Sequence, residues 1–172
     1  MAHAPHLPVA PGRFEELFAR VRDACLERFG PDLVALVVYG SAARGRVREF
    51  SDLDLLVVAR GLPAEQGERN RIGGEIDRAL RTWLEEFAAQ TGWNPYLSFL
   101  FRTPEEANRV SRFYFDMTEE ARLLLDRDGF FRGVLDHVAE RLRRAGARRV
   151  RVGKRWYWDL KPDWKPGDRV EI

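Results

Sequence analysis

This chain predicts a mixed α/β (α+β) domain, and three observations carry that expectation. Two short β-branched runs, "LVALVVY" (Leu33–Tyr39) and "LDLLVVA" (Leu53–Ala59), are bounded by turn formers, as buried strands are. Before the first and after the second, apolar residues recur at helical spacing. The resulting order of helix, strand, strand, helix, strand, helix suits a small sheet with helices packed over it.

Each element has its own local reason. Phe14, Leu17, Phe18, Val21, Cys25 and Phe29 form one helical stripe, and Gly30-Pro31 stops it. Between Glu68 and Gln90 a longer stripe runs through Ile72, Ile76, Leu80, Trp83, Leu84 and Phe87, and Gly92 ends it. "YLSFLF" (Tyr96–Phe101) follows Pro95 as a third strand, and Thr103-Pro104 reads as a helix start. "ARLLLD" is compatible with strand or helix. A turn over Asp126–Gly129 precedes a helix from Phe130 to Arg144, closed by Gly146. The tail, "RRVRVGKRWYWDLKPDWKPGDRVEI", shows no helical period.

Composition narrows the functional classes. A length of 172 residues suits one domain with a real core, and 45% hydrophobic with 33% charged residues is globular composition. No apolar run approaches the roughly 20 residues that cross a bilayer, which argues against a membrane partner. The N-terminus lacks the basic start and apolar stretch of a secretion signal. Cys25 is the only cysteine, so no internal disulfide forms, and a cytoplasmic setting is expected. The net charge of +2 does not announce a nucleic-acid binder. Arg132, Arg141, Arg143, Arg144, Arg148, Arg149, Arg151, Lys154 and Arg155 nevertheless crowd the last third, as a solvated face or as a surface for phosphate or an acidic partner.

The chemistry concentrates in "YGSAARGRVREFSDLDLLVV". In a strand, residues i and i+2 share a face, so Asp52 and Asp54 point together while Leu53 and Leu55 point into the core. Two adjacent carboxylates repel unless a cation lies between them, and hard oxygen donors of this kind suit Mg²⁺ carrying water and phosphate oxygens. Gly40 ends the preceding strand without a Cβ, which lets a phosphate approach the backbone. Ser41 is expected as the N-cap of the short "AARG" turn, with its hydroxyl and Arg44 as further phosphate donors. Arg46 and Arg48 fit the same role or plain solvation.

The Gly-Ser turn, ten intervening residues and the D-x-D, set on two apolar strands, resemble the nucleotidyltransferase superfamily that includes DNA polymerase beta. The segment Val38–Val58 is most similar to its small prokaryotic branch, the MNT (minimal nucleotidyltransferase) proteins. The resemblance implies a polymerase beta-like nucleotidyltransferase fold, a short mixed sheet flanked by helices. It implies NTP, with ATP preferred, and Mg²⁺ as ligands, and transfer of NMP to a protein or small-molecule acceptor. It assigns Gly40 and Ser41 to the phosphate turn and Asp52 and Asp54 to the metal and the catalysis. MNT-like proteins are often partnered with HEPN-domain proteins, so a HEPN-domain protein is an implied partner. The expected layout is a flexible arm over 1–12, the nucleotidyltransferase domain over 13–116, and a helical and aromatic extension over 117–172 packed on the same domain.

One member of the family pattern is absent. A third carboxylate is expected on a later strand, and the matching position holds Ser98, which is a poor Mg²⁺ ligand and no base at neutral pH. Either Glu75, Asp77, Glu105 or Asp116 supplies the group from elsewhere, or the site has two carboxylates only. The second reading is preferred, because none of the four lies inside an apolar strand. A catalytically weak nucleotide-binding module that regulates a partner by contact is therefore the alternative to an enzyme. Trp156, Tyr157, Trp158 and Trp164 in the tail suit a fold-back extension, a docking surface or base stacking.

Overall fold

The structure is a computed structural model that describes residues 5–153, 155–163 and 165. Lys154 and Trp164 of the basic and aromatic tail lie outside the described residues.

Helix α1 (Pro11–Phe29) begins on a proline whose missing N–H costs nothing in a first turn, and ends at Gly30. Strand β1 (Leu33–Tyr39) leads into the one-turn α2 (Gly40–Ala43), then β2 (Leu53–Ala59) and the long α3 (Gln66–Thr91). Gly92 closes α3 in the left-handed conformation, φ 72°, that glycine adopts without penalty. After β3 (Leu97–Arg102) come α4 (Pro104–Ala107), a 3-10 turn (Arg112–Tyr114) and α5 (Met117–Glu120). The ambiguous "ARLLLD" segment is strand β4 (Arg122–Asp126). Helix α6 (Phe130–Arg144) and a hairpin of β5 (Arg148–Val152) and β6 (Arg155–Asp159) complete the chain.

The central sheet has the order β3-β2-β1-β4. It is mixed: β1 pairs antiparallel with β2 and β4, while β2 and β3 run parallel, joined by α3 as such a crossover requires. The segment expected as a C-terminal extension thus supplies the fourth strand of the sheet. Leu7 of the expected N-terminal arm donates its N–H to Val47 O at 2.8 Å, and Leu7 and Val9 pack on the core.

Alternation along the strands divides the core into two. Leu33, Leu53, Leu55 and Val57 face α1 and α3, where Phe14, Leu17, Val21, Ile76, Leu80 and Phe87 cover them. Val34, Val37, Leu56 and Val58 face α6 and the 3-10 turn, under Tyr114, Phe131, Val134 and Val138. Position 54 shares this second face with Leu56 and Val58, beyond the end of its apolar cover.

A bidentate pair ties α3 to α4. Arg69, 5% exposed, donates to Glu106 Oε2 at 2.7 Å and Oε1 at 3.0 Å, and to the carbonyls of Pro63 and Phe101. Glu106 also closes a capping box with Thr103.

Candidate active site

Three neighbouring strands bring Tyr39, Asp54 and Ser98 side by side. Tyr39 is directly opposite Asp54 in the antiparallel register, and Ser98 is beside Asp54 in the parallel one. Asp54 is half-buried and Asp52 exposed, as the first residues of a strand emerging at a sheet end must be. The start of β2 is pinned from the loop joining α3 and β3: Ser51 O accepts from Trp93 Nε1 at 2.7 Å, and Leu53 N donates to Tyr96 O at 2.9 Å. Asp52 is held between those two anchors.

Gly40 sits at φ 71°, where only glycine is unstrained. An ideal Cβ there would overlap Asp54 Oδ2 and stand 3.4 Å from its Cγ. The missing side chain therefore makes room for the carboxylate itself, a closer reason than the phosphate approach expected for this glycine. The turn also starts earlier than expected. Tyr39 occupies the N-cap position and Ser41 lies within α2, because the positive φ at Gly40 reverses the chain one residue sooner. Ser41 is thus a residue of the turn and not its cap.

Electrostatics agree with the geometry. Burial pushes the Asp54 carboxyl above its ordinary range, the Asp52 charge pushes it further, and the Arg44 guanidinium partly offsets both. Burial, with the Asp54 charge behind it, also raises the Tyr39 phenol to about 12. Burial and the Asp52 charge both disfavour ionised Asp54, so a cation beside the two carboxylates would be stabilising. Their oxygens and the neighbouring turn suit Mg²⁺, so Asp52 and Asp54 are the residues that could hold it.

Arg44 donates to Glu120, which also accepts from Arg149 of the hairpin. Burial alone would raise the Glu120 carboxyl, but the Arg149 and Arg44 hydrogen bonds outweigh it and hold it below the usual range. Beyond the turn opens a large cleft, about 990 Å³, lined by Ser41, Arg44, Arg46, Arg48, Arg122 and Arg149 among others. Its lining includes Ser41 of the turn but neither Asp52 nor Asp54.

Among the described residues, no third carboxylate joins Asp52 and Asp54. Glu75 pairs with Arg28 and Asp77 with Arg81 on the helical layer. Glu105 is exposed on α4, and Asp116 lines the large cleft and accepts from Trp158 Nε1. Among the described residues, no group of three His, Cys, Asp or Glu could hold a metal ion.

Three residues at the site escaped sequence reasoning. Trp93, fully buried against Phe14 and Phe87, carried a signal: a buried indole needs an acceptor. Glu120 and Phe113 carried none, since each reaches the site through tertiary packing, Phe113 by its edge-to-face contact with Tyr39 at 5.0 Å.

Comparisons with known proteins give the family. The family model described as a nucleotidyltransferase domain matches residues 19–123. A Methanocaldococcus jannaschii protein named "Putative protein adenylyltransferase MJ1305" is 27% identical over 148 residues, which span 85% of this chain and 89% of that protein. A toxin-antitoxin structure with AMP-PNP aligns at TM-score 0.47 and 13% identity, over 75% of this chain and 92% of that one. The tri-AMPylated Shewanella oneidensis HEPN toxin in complex with MNT antitoxin aligns at 0.35 and 13%, over 78% and 90%. Neither alignment reaches 0.5, and the assignment rests on the family match, which spans both strands and the turn of the site. The chain belongs to the nucleotidyltransferase domain family.

Proposed function

We propose that this protein transfers AMP from ATP to a hydroxyl of a protein acceptor, with Mg²⁺ held by Asp52 and Asp54. The observation that carries the reading is the fit of Gly40 against Asp54. A turn built on the one residue without a Cβ brings the carboxylate against the phosphate-binding backbone. The curated relative named for protein adenylylation supports protein as the acceptor class.

In the proposed reaction the acceptor hydroxyl attacks the α-phosphorus of ATP. One P–O bond forms, the bond to the β-phosphate breaks, and pyrophosphate leaves. Mg²⁺, when bound, supplies charge neutralisation on the phosphates. Ser41 and Arg44 hold the terminal phosphates, which requires Arg44 to exchange Glu120 for phosphate oxygens. The Asp52–Asp54 pair faces the reacting phosphorus. Ser98 beside Asp54 can accept a hydrogen bond from the acceptor hydroxyl but does not take its proton at neutral pH. Transfer is therefore slow until the acceptor or a partner brings a proton acceptor.

Ser98 also favours a second reading, a regulatory module that binds nucleotide and acts on a partner by contact. The resemblance to MNT proteins makes a HEPN-domain protein the partner to try, in a cytosolic setting that fits the lone buried thiol. ATP labelled at the α-phosphate, incubated with Mg²⁺, this protein and the product of a neighbouring HEPN gene, separates the two. Label on the partner supports transfer. A tight complex without label supports the module.

A further inference from the structure

We propose that the nucleobase of the NTP is seated between β3 and the 3-10 turn Arg112–Tyr114, with Phe113 as its stacking platform. This deepens the nucleotidyltransferase reading and rests on it. Three concavities adjoin one another through shared lining residues, the middle one holding Tyr39 and Gly40. The large cleft and a middle one of about 190 Å³ share Arg44, Asp116 and Glu120. The middle one, which includes Gly40 and Arg112, shares Phe113 with a third of about 310 Å³. The third is lined by Leu100, Arg102, Arg109, Val110, Ser111 and Phe113, among others.

Chemistry orients a nucleotide along this path. The large cleft carries five arginines, of which Arg44 and Arg149 pair with its own Glu119 and Glu120, and guanidinium groups suit phosphate. The third concavity brings apolar Leu100 and Val110 and the Phe113 ring together with Arg102, Glu106, Arg109 and Ser111, a mix of apolar, aromatic and hydrogen-bonding groups that suits a base. Its place also fits. Leu100 follows Ser98 by two residues on the same face, about 7 Å along the strand, roughly the reach of a ribose from its phosphate.

The exposed aromatic ring across the large cleft is a poorer platform. Arg149 and Arg151 lie over the Trp156 ring at 4.9 and 5.5 Å from its centroid, so it is already engaged by cations. Phe113 is 44% exposed, makes edge-to-face contacts with Tyr39 and Tyr114, and has no cation over its ring among the described residues.

The test compares ATP with inorganic tripolyphosphate, each with Mg²⁺, by titration calorimetry. Phe113→Ala is expected to weaken ATP roughly 10- to 100-fold, the loss of one base stack, while tripolyphosphate binding stays within about twofold. Phe113→Trp should restore ATP affinity. Equal weakening of both ligands, or unchanged ATP binding, overturns the seat while leaving the nucleotidyltransferase reading intact. Wild-type protein that binds neither ligand defeats that reading and the seat with it. Photolabelling with 8-azido-ATP gives an answer that does not depend on how the variant folds. Label on the peptide containing 109–114 supports the seat, and label confined to the β5–β6 hairpin overturns it.

Discussion

Replacing Gly40 with alanine strikes the feature on which the site depends. At φ 71° an L side chain is strained by roughly 1–2 kcal/mol, before any contact is considered. The new methyl overlaps Asp54 Oδ2, and restoring an ordinary contact of 3.4–4 Å moves the carboxylate by about 1 Å. A shift of that size in a reacting group costs about 100-fold in rate. Strain and residual overlap together amount to about 2 kcal/mol, or roughly 4–8 °C in Tm for a chain of this size. Gly74→Ala is the control: that glycine lies inside α3 with nothing within 4 Å of an added Cβ. It should raise stability by about 0.5–1 kcal/mol and leave transfer unchanged. The assay is AMP transfer from labelled ATP beside a thermal melt of each variant. Wild-type rate and Tm in Gly40→Ala would refute the reasoning, because the glycine would then not be what admits Asp54.

Two further outcomes follow from groups away from the Asp52–Asp54 pair. Glu106→Gln removes the partner of the buried Arg69 and should cost about 3 kcal/mol by thermal or urea unfolding. The Arg69 hydrogen bond holds the Glu106 carboxyl at about 2, so in wild type this contribution is present above the ordinary glutamate range and is lost as pH falls towards 2. The Glu106→Gln variant should lack that part of the acid dependence; identical acid profiles would count against the pair. Burial pushes the Cys25 thiol up to about 12, so its contribution is complete below the ordinary thiol range and declines as pH rises towards 12. Iodoacetamide at mildly alkaline pH should modify Cys25 only at the rate of unfolding, and rapid labelling of folded protein would contradict its place in the core.

How much of this was legible in the sequence differed from element to element. β1 and β2 were plain, because both their faces are buried and nearly every residue is apolar. The α3 stripe was plain for the complementary reason, one buried face on 26 residues. β4 was ambiguous because it is an edge strand, half-buried throughout, so neither period stands out. The β5–β6 hairpin hid behind charge: arginines along β5 pair with acids on α5 and β6, so polarity there marks cross-element contacts and not solvent. Asp52 and Asp54 could be placed on one face because period-2 alternation needs only the strand assignment, whereas Ser98, which pairs with Asp54 in the sheet, was placed through the family resemblance. The contacts of Glu120 with Arg44, of Trp93 with Ser51 and of Phe113 with Tyr39 join residues from 42 to 76 positions apart, and local pattern carries no record of such pairs.

The central claim is that Asp52 and Asp54 together bind Mg²⁺ and NTP, and titration calorimetry tests it most directly. ATP should bind wild-type protein in the presence of Mg²⁺ and lose most of that affinity in EDTA. Asp52→Asn and Asp54→Asn should each abolish the Mg²⁺-dependent part while the protein stays folded. ATP binding that is indifferent to Mg²⁺, and unchanged in both variants, would contradict the account.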